Sequence, residues 1–314
     1  MVNNSNFVCE HPLISIIVPS YNHAQYLDAR IQSILRQTYQ NFEILVLDDY
    51  STDSSWSYLN QYINHPKFSH IIQSEMNSGS PYKQWEKGIQ LAKGEWIWIA
   101  ESDDWAETTF LEVLISNILP NTTLAFCHSH IDSNESSKND CNGTLVSLHW
   151  RGIPFIKRRM LSFNSIINAS MAIFKKDVLE SNVFEVRNSL TYCFDWYFWT
   201  LIASKGDVLE ISNRLNHFRI HPGKLSNSAD KNGLNISEAC LIWKITKKKF
   251  SLTPTLAQKL HFLLRWILSV PRFNHGIEHI VLKRVQRDER LLVILYRVTR
   301  PLHPLIRVLY HSIK

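Results

Sequence analysis

Apolar positions along this chain switch between two periods. Leu13-Ile-Ser-Ile-Ile-Val18 is an apolar run stopped by Pro19, which reads as a buried strand ending in a turn. Leu27, Ile31, Ile34 and Leu35 then recur at helical spacing, predicting a helix with one apolar face. Phe42-Glu-Ile-Leu-Val-Leu47 is a second strand, leading through Asp48 and Asp49 into a helix from Ser54 to Tyr62. Trp96-Ile-Trp-Ile-Ala100 is a further strand that runs straight into Glu101, Ser102, Asp103 and Asp104. Strands apolar on both faces, alternating with amphipathic helices, imply an α/β fold whose mostly parallel sheet is flanked by helices. Ligands of such sheets bind in the crevice beyond the carboxyl ends of the strands. The loops at 19–22, 48–53 and 101–104 all fall on that edge.

Composition changes this picture at one end. The 314 residues, 45% hydrophobic, exceed the usual size of one core, so a catalytic domain over 1–232 and a helical C-terminal region over 233–314 are expected. Residues 240–314 carry 15 Lys and Arg against 3 Asp and Glu, net +12, and the remainder 19 against 25, net −6. The apolar runs Phe262–Val270 and Leu291–Tyr310 are interrupted by arginines and stay short of the roughly 20 residues of a spanning helix. Basic amphipathic helices of this kind suit an anionic membrane surface, or a bundle packed on the catalytic domain. No nucleic-acid-binding motif accompanies the charge. Five cysteines, without metal spacing, fit a reduced compartment. The first apolar stretch is a strand rather than a signal segment, so a cytoplasmic location is expected, peripheral on the inner face of the membrane.

Three carboxylates at one strand tip need explanation. Crowded like charges raise one another's pKa unless a cation neutralises them, and hard oxygen ligands beside substrate oxygens suit Mg²⁺ or Mn²⁺. An acidic turn capping the next helix is the plainer alternative. The second acidic strand end, Asp48-Asp49, on the same edge favours the ligand site.

The run Ser15-Ile-Ile-Val-Pro-Ser-Tyr-Asn22, the stretch Leu47-Asp-Asp-Tyr-Ser-Thr-Asp53, Leu91-Ala-Lys-Gly-Glu95 and Glu101-Ser-Asp-Asp104 resemble the family 2 glycosyltransferases in order and spacing. The likeness is strong over about 13–110 and continues weakly to about 228. It implies a GT-A (Rossmann-like) fold, a nucleotide-diphosphate sugar donor, a divalent ion, and inverting transfer by single displacement. By the same resemblance Pro19, Tyr21 and Asn22 hold the nucleotide, Asp48 or Asp49 contacts its base or ribose, and Asp103 with Glu101 forms the DXD-like metal motif around Ser102. Glu101 departs from the usual aspartate. Trp85 and Glu86 replace an Arg-Asn pair common in relatives, leaving Lys83 and Lys87 on that helix as the candidate phosphate contacts.

An inverting transfer also requires a base on the acceptor side. The resemblance points to Asp195, within Tyr192-Cys-Phe-Asp-Trp-Tyr-Phe-Trp199, with Phe194 where many relatives carry another acid. A carboxylate among aromatic rings loses hydration and becomes a better proton acceptor near neutral pH. Asn216-His-Phe-Arg-Ile-His-Pro-Gly-Lys-Leu-Ser226 resembles the ending Tyr-Arg-x-His-Pro-x-x-x-Ser, which makes His221 a metal ligand and sets Arg219 and Lys224 to neutralise the diphosphate; His217 stays unassigned. Trp150, Arg151 and Phe163–Met171 fall where the family builds its acceptor pocket, and the polar segment from Asp132 to Gly143, with Lys138, reads as a loop. The expected activity is transfer from a nucleotide-diphosphate sugar, UDP-linked, to a glycan or lipid-linked acceptor in surface-polysaccharide synthesis, with Mn²⁺ or Mg²⁺. A degenerate sugar-nucleotide-binding or scaffold protein of the same fold is the alternative.

Overall fold

The apolar runs are neighbouring strands. In the computed structural model, which describes residues 11–132, 145–221 and 225–313, β1 (Ile14–Ser20) lies between β2 (Phe42–Asp48) and β4 (Trp96–Ile99), parallel to both, and β3 (Phe68–Gln73) adds parallel to β2. Every residue of β1, β2 and β4 is buried, as strands covered on both faces must be. Beyond β4 the sheet is mixed. β5 (Trp105–Ala106), β6 (Thr122–Asp132), β7 (Ser147–Arg151), β8 (Ala172–Lys175) and β9 (Asp207–Arg219) complete it in the order β3-β2-β1-β4-β8-β6-β9-β5, with β7 beside β9.

Register brings the candidate loops together. Ser20 of β1 stands opposite Asp48 of β2, and Ile17 opposite Ile99 of β4. The Ala100 amide then donates to the Ile17 carbonyl at 2.8 Å, so residues 101–104 emerge beside the end of β1.

The chain divides into two compact units, the first made of Met1–Trp150, Asn168–Phe184 and Lys205–Ile220 and the second of Arg151–Ile167, Glu185–Ser204 and His221–Lys314. With the sheet, the first holds α1 (Ala24–Leu35), α2 (Ser55–Leu59), α3 (Pro81–Leu91) and α4 (Phe110–Ser116). Helix α1 buries Leu27, Ile31 and Ile34 as its spacing predicts, and Arg30 as well. Helix α3 approaches β1 closely through Gly88, where a Cβ would stand 2.5 Å from Ile17 Cγ2.

The second unit contains α5 (Gly152–Phe155), α6 (Phe194–Ala203), α7 (Leu225–Lys231), α8 (Leu234–Phe250), α9 (Leu256–Ser269), α10 (Ile277–Asp288), α11 (Arg290–Thr299) and α12 (His303–Ile313). Thr255 and Gln258 form a reciprocal cap at the start of α9, satisfying donors the helix leaves open. Buried aromatic residues hold the helices, among them Trp196, Trp199, Trp243 and Trp266, the last stacked on Tyr296 at 4.3 Å. Among the described residues no helix is long and apolar enough to cross a membrane.

Candidate active site

The turn after β4 gives its three acids three different surroundings. Asp104 is fully buried and serves the fold: Oδ2 accepts from Asn168 Nδ2 at 2.6 Å and Ser170 Oγ at 2.9 Å, and Oδ1 from the Arg219 amide at 3.1 Å. Glu101 accepts from Trp85 Nε1 at 3.0 Å. Burial first, then Asp103 and Asp104, push its carboxyl up to about 8 against the opposing pull of Trp85 and Arg30. Asp103 instead meets two imidazoles: one ligand atom each from His23, Asp103 and His221 lie within 4.8 Å of one another. His221 directly follows Ile220, the residue at which the chain leaves the first unit.

Two imidazoles and a carboxylate suit Mn²⁺ better than Mg²⁺, which prefers oxygen. His23 Nδ1 lies 2.7 Å from Ser102 Oγ, the kind of supporting bond that fixes ring orientation in metal-bound histidines. These residues therefore fit a divalent ion. The sequence singled out Asp103, Glu101 and His221; the cluster joins Asp103 and His221 with His23, and the Glu101 carboxylate is occupied by Trp85. Ser102, expected at the donor, is buried against His23.

A buried cation supports this turn from α1. Arg30 Nε donates to the Glu101 carbonyl at 2.8 Å, and its Nη1 and Nη2 are buried without a hydrogen-bond partner. Burial lowers the guanidinium to about 10, countered by Asp104, Asp103 and Glu101. Arg219 adds a second positive charge: Nε donates to the Asp103 carbonyl at 2.9 Å, and Cζ lies 4.7 Å from the Tyr26 ring and 4.6 Å from Trp105. His217 is buried, paired with Glu107 at 2.7 Å and stacked between Trp105 and His130.

The turn after β2 is built otherwise. Both oxygens of Asp48 are taken by Ser51 and Gln73, and Asp49 accepts from the Ser78 amide and hydroxyl and from Gln84 at 2.6 Å. Asn22 has a left-handed φ of 53°, and its Oδ1 accepts from the Thr52 and Asp53 amides, tying the β1 loop to the β2 loop. Pro19 is buried in the strand end, and Tyr21 is exposed. Tyr50 carries φ 64° with its ring exposed, a conformation that costs a non-glycine residue about 1–2 kcal/mol. Exposed Lys83 donates to the Ser78 carbonyl at 2.9 Å, and Lys87 is half-buried on the same helix.

Asp195 belongs to the second unit, in the first turn of α6. Burial, with Glu238 adding to it, raises its carboxyl to about 7, opposed by the Trp196 amide and by Asn164. Asn164 Nδ2 donates to it at 3.1 Å. Trp150 donates to Glu210 at 2.9 Å, and Arg151 is exposed. Lys224, Lys138 and residues 133–143 lie outside the described residues.

His23, Arg30, Tyr50 and Glu238 escaped the sequence reading. His23 had a signal, a metal-binding residue type directly after the Pro19–Asn22 loop, and so did Tyr50, placed between Asp49 and Ser51 where a turn favours glycine. Arg30 and Glu238 had none.

Known proteins agree with this architecture. The family described as glycosyl transferase family 2 matches residues 15–182, more than half of the chain, and the chain belongs to that family. An uncharacterized glycosyltransferase of Haemophilus influenzae is 27% identical over 224 residues, 69% of this chain and 68% of its own length. Glycosyltransferase GlyG of Streptococcus pneumoniae is 34% identical over 127 residues, 40% of this chain and 42% of that protein. Among solved structures, residues 1–349 of S. aureus TarS in complex with UDP-GlcNAc share the fold at a TM-score of 0.57 and 18% identity, covering 95% of this chain and 91% of that one. The mannosyltransferase PcManGT of Pyrobaculum calidifontis, in complex with GDP-Man and Mn²⁺, gives 0.54 at 16% identity, covering 92% and 79%. The protein is thus a glycosyltransferase of the GT-A fold, with a C-terminal helical region.

Proposed function

We propose that this chain moves one sugar from a nucleoside-diphosphate donor, UDP-linked, to a hydroxyl of a growing glycan or lipid-linked acceptor, with inversion at the anomeric carbon, in the synthesis of a bacterial-type surface polysaccharide. The observation that carries the reading is the meeting of His23, Asp103 and His221 at the carboxyl edge of a family 2 sheet. Relatives named for teichuronic acid and colanic acid biosynthesis support the acceptor class, and TarS in complex with UDP supports the donor.

In this reading Tyr21 and Tyr50 flank the base, and Asp49 with its Ser78 and Gln84 partners keeps the nucleotide loop in place. Asp103, His23 and His221 would hold Mn²⁺ or Mg²⁺, which would supply positive charge to offset that of the departing diphosphate. Arg219 and Lys83 or Lys87 add positive charge for the same group. Asp195 accepts the proton of the attacking hydroxyl. A carboxyl raised to about 7 is a stronger base than an ordinary aspartate yet largely ionised at slightly alkaline pH.

The C-terminal helices bring the enzyme to its acceptor. Leu291, Ile294, Val298, Leu302, Leu305 and Leu309 are each half or more exposed and recur at three- and four-residue steps through α11 and α12. Arg290, Arg297 and Arg300 accompany that stripe, a pattern suited to the inner face of an anionic membrane, where each nearby cation contributes about 1 kcal/mol.

Release of UDP from UDP-sugars by the full chain, with Mn²⁺ and without, tests the reading. The expected outcome is metal-stimulated turnover that falls 10²–10⁴-fold in Asp195→Asn with UDP affinity retained. Binding without turnover in the native chain would mark a sugar-nucleotide-binding protein instead. Flotation with phosphatidylglycerol vesicles, lost in the double variant Ile294→Asp and Leu305→Asp, tests the membrane step.

A further inference from the structure

The helix that carries Asp195 begins without a cap of its own. Cys193 stands at its N-cap and makes no side-chain hydrogen bond there, although helix starts leave several amides without intrahelical partners. The donors before that start are met from α8. The Glu238 carboxylate, 6% exposed, accepts from the Thr191 amide at 3.0 Å and its hydroxyl at 2.8 Å, from the Tyr192 amide at 2.9 Å and from the Cys193 amide at 2.8 Å. Three successive amides turned onto one anion form a concave nest, here filled by the protein's own side chain.

A carboxylate is favoured at a helix start, where several amides lack intrahelical partners. The same carboxylate also brings a negative charge to the lead-in of the half-buried Asp195, and like charges oppose each other's ionisation. Phe194 stands where the family resemblance implies an additional acid; Glu238 provides one from a different helix.

We propose that Glu238 is the positioning residue for Asp195, its carboxylate fixing the lead-in to α6 and standing as the second negative charge beside the proposed base. This rests on the reading of Asp195 given above. The charged and polar groups around the pair come from every packed element. Asn164 and the Trp196 amide bond Asp195, Asp230 and Arg265 act on Tyr192 and Cys193, and Arg284, Arg287 and Asp288 line with Glu238 a cavity of about 270 Å³. The charge of Glu238 adds to the upward shift of the Asp195 carboxyl that burial causes. Removing that charge while keeping the shape therefore makes Asp195 easier to ionise and a weaker base.

The test titrates Asp195 directly and needs no donor. Full-length protein labelled with [4-¹³C]aspartate is followed by carbon NMR across pH, the Asp195 carboxyl signal being identified by its loss in Asp195→Asn. In Glu238→Gln the midpoint is expected to fall by about one unit. In Glu238→Asp, which keeps the charge but shortens the reach to the amides, the midpoint stays within about 0.3 unit while the melting temperature drops by several degrees. A midpoint unchanged in Glu238→Gln, or moved equally in both variants, overturns the proposal and leaves Glu238 a cap. If Glu238→Gln does not fold, a midpoint shifted in Glu238→Asp by a full unit does the same. Native-rate UDP-sugar hydrolysis by Asp195→Asn would instead sink the assignment of the base and leave the coupling of the two carboxylates standing.

Discussion

The turns after β2 and β4 carry the same signature, adjacent acids at the end of a buried parallel strand, and the protein uses them differently. At the β2 turn the protein supplies donors to both carboxylates: Ser51 and Gln73 to Asp48, Ser78 and Gln84 to Asp49. At the β4 turn Asp104 is satisfied in that way, Glu101 is crowded by its neighbours, and Asp103 faces two histidines. A carboxylate at a strand tip therefore does not declare its role by position. What separates the two turns is whether imidazoles converge on a carboxylate, as they do on Asp103.

The sharpest break of this comparison lies between adjacent residues. Asp103→Asn is expected to lower transfer about 10³-fold while shifting the melting temperature by no more than about 2 °C. Asp104→Ala should do the reverse first. It strands the buried Asn168 amide, the Ser170 hydroxyl and the Arg219 amide, costing about 3–5 kcal/mol in urea unfolding. Equal melting temperatures for the two variants would erase the distinction.

The next effect concerns Glu101. Its carboxyl is raised from 4.5 to about 8 in the folded chain, so the native state binds that proton more tightly than the unfolded one. The resulting stabilisation is complete below the ordinary value and disappears as pH rises through about 8. Glu101→Gln, whose amide oxygen still accepts from Trp85, removes the dependence. Metal-free urea-unfolding free energies should nearly match at pH 5 and favour the variant at pH 9 by about 4 kcal/mol; parallel curves would show that Glu101 ionises normally.

The smallest effect belongs to the β2 turn. Tyr50→Gly relieves a left-handed backbone and is expected to stabilise the chain by about 1 kcal/mol. It should weaken UDP binding about three- to tenfold if the exposed ring lies against the base, as calorimetry would measure. Gain of stability with unchanged affinity would confine Tyr50 to the turn.

Much of the fold was legible because the strands announce themselves. Leu13–Val18, Phe42–Leu47 and Trp96–Ala100 are apolar without alternation, which only a sheet covered on both faces satisfies, and the helix spacing of Leu27, Ile31 and Ile34 is equally plain. The acidic edge followed from the order of elements. The antiparallel pairing of β4 with β8, and of β8 with β6, was not legible, since it depends on long-range partners with no local mark. Arg30 shows the same limit at the site. It occupies a helical position that reads as ordinary, and only the fold reveals that its guanidinium is buried beneath the turn of Glu101. Glu238 lies 43 residues beyond Asp195 in the sequence, and no period or motif connects the two.

In the proposed function Asp103, with His23 and His221, holds the ion that receives the donor's diphosphate, and the acids of the β2 turn do not. Titration of the full chain with Mn²⁺ in the presence of UDP, followed by electron paramagnetic resonance, tests it most directly. One bound Mn²⁺ per chain is expected, weakened at least about tenfold in Asp103→Asn and in His23→Ala and unchanged in Asp49→Asn. Undiminished Mn²⁺ binding by Asp103→Asn would contradict it.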